Sequence, residues 1–289
     1  MAFKTTKSLI LGVIVAAASV SGLAFAAGGG GHGDYKMKHP DWSFKGLTGS
    51  YDRLAMQRGY QVYNEVCSSC HTLKYMAFRH LGDKGGPYYL EDFPNPSDNP
   101  YVKNFAAAWQ ISDIDADTGD AIERKGTPAD YCPNPPGLPN DAAIRANNGG
   151  SLPPDLSSMV KARAGGADYV YNLLISYGSP KPDDVELTPG LHYNPVMDGG
   201  KIAMAAPLSA DQVSYEPVEI EDHGKIKTIP APEATVEQMA KDVTHFLAWA
   251  ADPKLEQRKS VGLMTILYLL ILSVLLFFAY KRVWRNVEH

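Results

Sequence analysis

The stretch that most constrains this chain is Cys67-Ser68-Ser69-Cys70-His71. Two thiols separated by two residues, with an imidazole directly after them, can add across the two vinyl groups of a heme and set the histidine on the iron as proximal ligand. A chain with such a stretch has to fold around a large flat ring fixed to its backbone at two points. The rival readings of a CxxC pair are a zinc site and a redox dithiol. Zinc needs a second ligand pair at matching spacing, and only one further cysteine, Cys132, is present.

The ligand on the opposite face of the iron separates electron transfer from chemistry at iron. A methionine thioether is soft and uncharged, favours ferrous iron and raises the potential. Met76 is too near in sequence to reach the far face, while Met56, Met159 and Met239 sit in helical apolar patterns and read as core. Met197 and Met204 lie in loops on the C-terminal side. Met204 is preferred, because Ala203, Ala205 and Ala206 let the backbone approach the ring and Pro207 stiffens the loop. Met197, His192 and His245 stay open as alternatives. An empty sixth position would suit a peroxidase or a gas sensor, and no catalytic distal constellation is written in the chain.

Two apolar runs place the chain relative to a membrane. Residues 1–26 read as a signal peptide, with Lys4 and Lys7 as the basic start, Ser8 to Val20 as the apolar run and Ala24-Phe25-Ala26 as the cleavage site. A mitochondrial transit peptide would be rich in arginine, and this segment has none. A flexible glycine-rich segment, 27–41, follows, in which His32 has no evident ligand partner, with order expected from near Trp42. Leu263 to Tyr280 holds 18 residues without a charge, about 27 Å of helix, enough for one crossing. The expected organisation is a periplasmic heme domain over 42–256, a membrane helix over 257–280 and a cytoplasmic tail over 281–289. Basic residues flank the span on both sides, so the signal peptide rather than their count sets the orientation.

The formal net charge is −5. Setting the signal and tail aside leaves 22 basic against 31 acidic residues, about −9 on the exported part. That balance excludes nucleic acid as a partner and favours a basic protein drawn by long-range attraction. Asp183, Asp184, Glu186 and the segment from Glu216 to Asp222 are the densest acidic candidates.

Helical periodicity appears twice where it matters. From Ser50, a candidate N-cap, the residues Tyr51, Ala55, Gly59, Val62 and Val66 form one stripe that runs into the thiol pair. Gly59 in mid-helix costs about 1 kcal/mol relative to alanine, which points to close approach of another helix. Thr235-Val236-Glu237-Gln238 resembles a capping box opening a second stripe, from Val236 through Val243, Phe246 and Leu247 to Ala250 before Pro253. Shorter helices are expected from Asn99 to Trp109 and from Asp168 to Tyr177. Between them Gly and Pro clusters mark loops, and no alternating run is long enough for a substantial sheet. Asp113, Asp115 and Asp117 suggest a calcium loop, but Thr118 and Arg124 stand where an EF-hand needs Gly and Glu, leaving a solvated acidic loop.

Taken in order, these motifs carry a resemblance. Arg58-Gly59-Tyr60-Gln61-Val62-Tyr63 before the heme motif is followed by Asn147-Asn148-Gly149 and Leu152-Pro153-Pro154-Asp155-Leu156-Ser157. Lys161 to Gly166, Asp168-Tyr169-Val170, the Met204 loop, Asp242-Val243 to Trp249-Ala250-Ala251-Asp252-Pro253 and one C-terminal anchor then complete the series. Over essentially the whole mature chain it resembles the cytochrome c1 family in its bacterial form. The resemblance implies an all-α cytochrome c-like heme domain with long loop insertions, plus one transmembrane helix. It implies one covalent heme c held by Cys67 and Cys70, with His71 and Met204 as axial ligands. It further implies Arg163 on a heme propionate, whose carboxylate suits a guanidinium fork, and Asn148, Pro154 and Tyr169 lining the pocket. Some bacterial relatives carry a disulfide in this domain, for which Cys132 here has no partner in the chain.

The implied function is one-electron relay in respiratory or photosynthetic electron transport at the bacterial inner membrane. Electrons would pass from the Rieske iron–sulfur protein to a soluble c-type cytochrome, beside cytochrome b in a dimeric complex in the lipid bilayer. Such a subunit needs no general acid, base or nucleophile. The alternatives are a membrane-anchored cytochrome subunit of a terminal oxidase or dehydrogenase and, in another class, a heme peroxidase or ligand sensor.

Overall fold

The computed structural model describes residues 35–222 and 225–286. The signal-peptide reading, the glycine run with His32 and the last three residues lie outside the described residues. Helix α1 (Arg53–Glu65) leads into the thiol pair. It is followed by α2 (Pro100–Ala107), α3 (Asp141–Asn147), the short α4 (Met159–Ala162), α5 (Gly166–Ile175), α6 (Val236–Ala251) and α7 (Leu255–Val283). Strands occur only as two-stranded antiparallel ribbons among the described residues: β1 (Gln110–Ile114) with β2 (Ala121–Lys125), β3 (His192–Tyr193) with β4 (Lys201–Ile202), and β5 (Val218–Asp222) with β6 (Lys225–Ile229). The domain is mostly helical, as expected.

Helix α1 starts later than Ser50 suggests. Asp52 is the cap, its Oδ1 accepting from the amides of Leu54 (2.9 Å) and Ala55 (3.2 Å), and a carboxylate at this end also meets the positive pole of the helix. Thr235 caps α6 by accepting from the Gln238 amide at 3.1 Å. The reciprocal half of a capping box is not made, because the Gln238 side chain donates instead to Asp242 Oδ2 at 2.9 Å. Gly165, at φ 86°, caps α5, which begins at Gly166, two residues ahead of Asp168. The acidic loop proves to be the turn of the β1–β2 hairpin: Asp115 Oδ1 accepts from the amides of Asp117 and Thr118, and Arg124 pairs with Asp113 and Asp130.

Helices α1 and α6 cross at Gly59. A Cβ there would stand 2.1 Å from the Asp242 carbonyl oxygen and 2.7 Å from Phe246 Cβ, so only glycine permits the contact. Around it Met56, Tyr60, Val62, Tyr63, Met239, Val243, Phe246 and Trp249 are buried, each large apolar side chain contributing about 1.5–3 kcal/mol. The crossing is locked by Arg58, whose Nε and Nη2 donate to the two oxygens of the buried Asp242 carboxylate, both at 2.9 Å.

His245 belongs to this core and not to the iron. Its ring sits among Trp42, Phe44 and Tyr51, and its Nε2 accepts from the Asp52 amide at 2.9 Å. Packing begins ahead of Trp42: Asn172, fully buried in α5, accepts from the Lys38 amide (2.8 Å) and donates to the Lys38 carbonyl (2.7 Å). Beyond Pro253, α7 runs 29 residues, about 43 Å, with its apolar side chains exposed. It is the one helix among the described residues long and apolar enough to cross a bilayer.

Candidate heme centre

The thiol pair sits where α1 tightens into a 3₁₀ turn over Cys67–Ser69. Ser68 and Ser69 hydroxyls donate back to the carbonyls of Asn64 and Val66, both at 2.7 Å, and the His71 amide donates to the Cys67 carbonyl at 2.8 Å. The turn is thus rigid before any cofactor is attached. Burial pushes the Cys67 thiol up to about 12. That is the reverse of a redox dithiol, whose attacking sulfur has a depressed pKa. Among the described residues no group of three or more His, Cys, Asp or Glu side chains is arranged to hold a metal ion.

His71 is oriented by the segment that follows α3. Its Nδ1 lies 2.8 Å from the Pro154 carbonyl oxygen. A carbonyl only accepts, so Nδ1 carries the proton and Nε2 presents its lone pair. Burial lowers the His71 pKa, keeping the ring neutral as a ligand must be. Pro154 itself is pinned: the Leu156 amide donates to the Thr72 carbonyl (2.9 Å), while Asp155 Oδ2 accepts from Thr72 Oγ1 and the Lys74 amide, both at 2.7 Å. Burial opposes ionisation of Asp155, but these donors and Ser157 outweigh it and hold its pKa below the ordinary carboxylate value.

The remaining candidates lie on α5, on the segment from Asn194 to Pro207, and at the ends of α3 and α4. Tyr169, in α5, donates its hydroxyl to Met197 Sδ at 3.7 Å. Met204 is half-buried, and its carbonyl accepts from the Tyr177 hydroxyl at 2.9 Å. Asn148 ends α3, its side chain turned back onto the Ile144 carbonyl (2.7 Å). Arg163 follows α4 with an exposed side chain. The structure therefore joins His71 to Pro154 and Tyr169 to Met197, whereas Asn148 and Arg163 make no hydrogen bond to the other candidates among the described residues. Met56 and Met239 are core, as read from their patterns, and Cys132 is a buried thiol pushed up to about 12. Its amide donates to the Met76 carbonyl at 2.9 Å, so it acts as core packing.

Sequence reasoning missed three contributors to the site: Asp155, Asn194 and Tyr177. Only Asp155 carried a local signal, the Asp-x-Ser pattern of a side-chain-capped turn, with the Ser157 amide donating to its Oδ1 at 2.9 Å.

The donor set fits a covalently attached heme: two thiols on one hydrogen-bonded turn and a neutral imidazole with Nε2 available. The description "Cytochrome C1 family" matches residues 42–287. Cytochrome c1 of Rhodospirillum rubrum is 36% identical, the alignment covering 96% of this chain and 99% of that one. The mitochondrial cytochrome c1 heme protein of Saccharomyces cerevisiae is 40% identical over 86% of this chain and 72% of its own length. Cytochrome b/c1 of Bradyrhizobium diazoefficiens is 41% identical over 85% of this chain, which spans only 35% of that longer protein. A match over nearly the whole described chain, with the thiol turn, the oriented histidine and the C-terminal helix all present, has one reading: this chain belongs to the cytochrome c1 family, the heme-bearing electron-transport subunits of bc1 complexes.

Proposed function

We propose that the chain holds one heme c through thioethers at Cys67 and Cys70, with His71 and Met204 as axial ligands and Arg163 on a propionate. In this reading it relays single electrons from the Rieske iron–sulfur protein to a soluble c-type cytochrome while its complex oxidises ubiquinol. The observation that carries it is the His71 Nδ1–Pro154 hydrogen bond, which leaves Nε2 as the only ring nitrogen free to ligate.

When bound, heme c supplies a ferric/ferrous one-electron couple. The chain's own residues do the rest. The Pro154 carbonyl fixes the tautomer and strengthens the imidazole as a donor. Asp155 anchors that carbonyl through its bonds to Thr72 and Lys74. A soft Met204 sulfur would raise the potential to suit an acceptor c-type cytochrome. The placement we propose is residues 1–26 as a cleaved signal and 27–41 as a linker, with 42–256 in the periplasm, 257–280 across the inner membrane and 281–289 in the cytoplasm. The complex is dimeric and includes cytochrome b. Asp183 and Glu186, both exposed, are candidates to draw in a basic cytochrome.

Purification in mild detergent tests the assembly: cytochrome b and a Rieske protein should co-purify. Met204→Leu tests the ligand, since it should lower the reduction potential sharply while the thioether-bound heme survives denaturation. An unchanged potential sinks the assignment.

A further inference from the structure

Met197 lies in the connection between β3 and β4 and Met204 just after β4, and the structure treats their sulfurs differently. The Met197 sulfur accepts from the Tyr169 hydroxyl at 3.7 Å. Met204 is held by its backbone, through the Tyr177 hydroxyl at 2.9 Å, and its own sulfur accepts no hydrogen bond among the described residues. Tyr169 lies in α5 and Tyr177 just beyond its end, so this one region engages one methionine at the sulfur and leaves the other's free.

The Met204 loop has little else to close it. Ala203, Ala205 and Ala206 are exposed, β3 and β4 are two residues each, and Gly199 turns at φ 71°. Behind Tyr177 stands Asn194, fully buried. Its Nδ2 donates to the Leu173 carbonyl (2.9 Å), and its Oδ1 accepts from Ser176 Oγ and from the Val196 amide, both at 3.0 Å. Its backbone amide donates to the Gly200 carbonyl at 3.0 Å, and its carbonyl accepts from Met197 at 3.2 Å. Buried polar groups satisfied this fully act as rigid fixings, because breaking any one strands a desolvated partner.

We infer that Tyr177, backed by Asn194 and Ser176, is a positioning residue that keeps the Met204 sulfur on the iron by tethering the Met204 carbonyl to the end of α5. This rests on the reading of Met204 as sixth ligand. In this reading a competing ligand reaches the iron only when the Met204 loop has swung open. Its apparent affinity therefore reports the open fraction directly.

The test is carbon monoxide binding to the reduced, full-length, heme-loaded protein in detergent, together with the sulfur-to-iron charge-transfer band of the oxidised form. Tyr177→Phe removes only the hydroxyl. It should raise the apparent carbon monoxide affinity about fivefold, the ratio one neutral hydrogen bond supports, and weaken the band. Ser176→Ala, which cuts the Asn194 support from behind, should move both readouts the same way by less, and decides the matter if Tyr177→Phe does not fold. Asp242→Asn lowers overall stability elsewhere in the core and should leave both unchanged, so a merely structural effect is separable. If Met204→Leu binds carbon monoxide freely while the Tyr177 and Ser176 variants behave as wild type, the tether is refuted and the ligand stands. If Met204→Leu excludes carbon monoxide as wild type does, the ligand reading falls and the tether falls with it.

Discussion

His245 makes the stability of this domain depend on pH in a window where few other groups titrate. It is 3% exposed, enclosed by Trp42, Phe44 and Tyr51, and its Nε2 serves as acceptor for the Asp52 amide. Protonation would bury a cation and turn the acceptor into a donor facing a donor. Burial accordingly holds its pKa down at about 4, against 6.5 in the unfolded chain. With the folded value depressed, the folded protein binds fewer protons, so the stabilisation is complete above about pH 6.5 and is lost as pH falls toward 4. Linkage between these two values puts the loss at about 2 kcal/mol on going from pH 8 to pH 5. Asp155 and Asp168, held below their ordinary values, lose their contribution mainly in more acidic solution. Guanidinium unfolding followed by tryptophan fluorescence reads the effect, because Trp42 and Trp249 are buried. At a slope of about 5 kcal/mol per molar denaturant the wild-type midpoint should drop by roughly 0.4 M. His245→Gln keeps an acceptor and cannot titrate, so it should be flatter across the same range, with a residual slope from His80, whose pKa burial also lowers. A His245→Gln protein as acid-sensitive as wild type would refute the argument.

Two further predictions concern the crossing of α1 and α6. Gly59→Ala forces a methyl against the Asp242 carbonyl and Phe246, and should cost about 1–3 kcal/mol in unfolding free energy, with a wild-type midpoint as the contrary result. Asp242→Asn leaves Arg58 without its bidentate partner; because the Arg58 side chain is 23% exposed, the loss should be about 2–3 kcal/mol, below that of a fully buried pair. Adding Arg58→Met should restore much of that loss, and a strictly additive double variant would show that the two groups do not act as a pair.

How much of this was readable from the chain divides by the range of the interaction. Helix α1, its run into the thiol turn and the close approach at Gly59 follow from spacing alone, because periodicity and a missing side chain are local facts. The cap of α1 was misplaced by two residues, since Ser50 and Asp52 are both acceptable caps and only the fold shows which one meets the free amides. His245 looked as eligible for iron as any histidine until three aromatic rings closed round it. The His71–Pro154 bond spans 83 positions and uses a backbone carbonyl, which no residue type announces. Asn194 and Tyr177 were invisible for the same reason: each acts on carbonyls or amides brought near by the fold, and Asn or Tyr in a loop is ordinary composition.

Contacts between segments distant in sequence also fix the domain on the base of α7. Pro253 interrupts α6 and α7, and an interruption next to a single anchor would ordinarily act as a hinge. Here it is bridged on every side. The Asp252 amide closes α6 by donating to the carbonyls of Ala248 (3.1 Å) and Trp249 (3.0 Å), and the Asp252 carboxylate pairs with Lys161 of α4 and Arg258 of α7. Tyr51 reaches both sides of the break: its hydroxyl donates to the carbonyls of Ala248 and Asp252, and its amide to Glu256 at 2.7 Å. Lys259, one turn further along, donates to the carbonyls of Phe44 (2.7 Å) and Gly49 (2.9 Å). Single exposed ion pairs are worth little, but these contacts tie the 44–51 stretch, the end of α6 and, through Asp252, α4 to the first two turns of α7, and all would have to open together for the domain to swing. The base of α7 is therefore packed as part of the domain, and the fold itself sets the direction in which this long apolar helix leaves it.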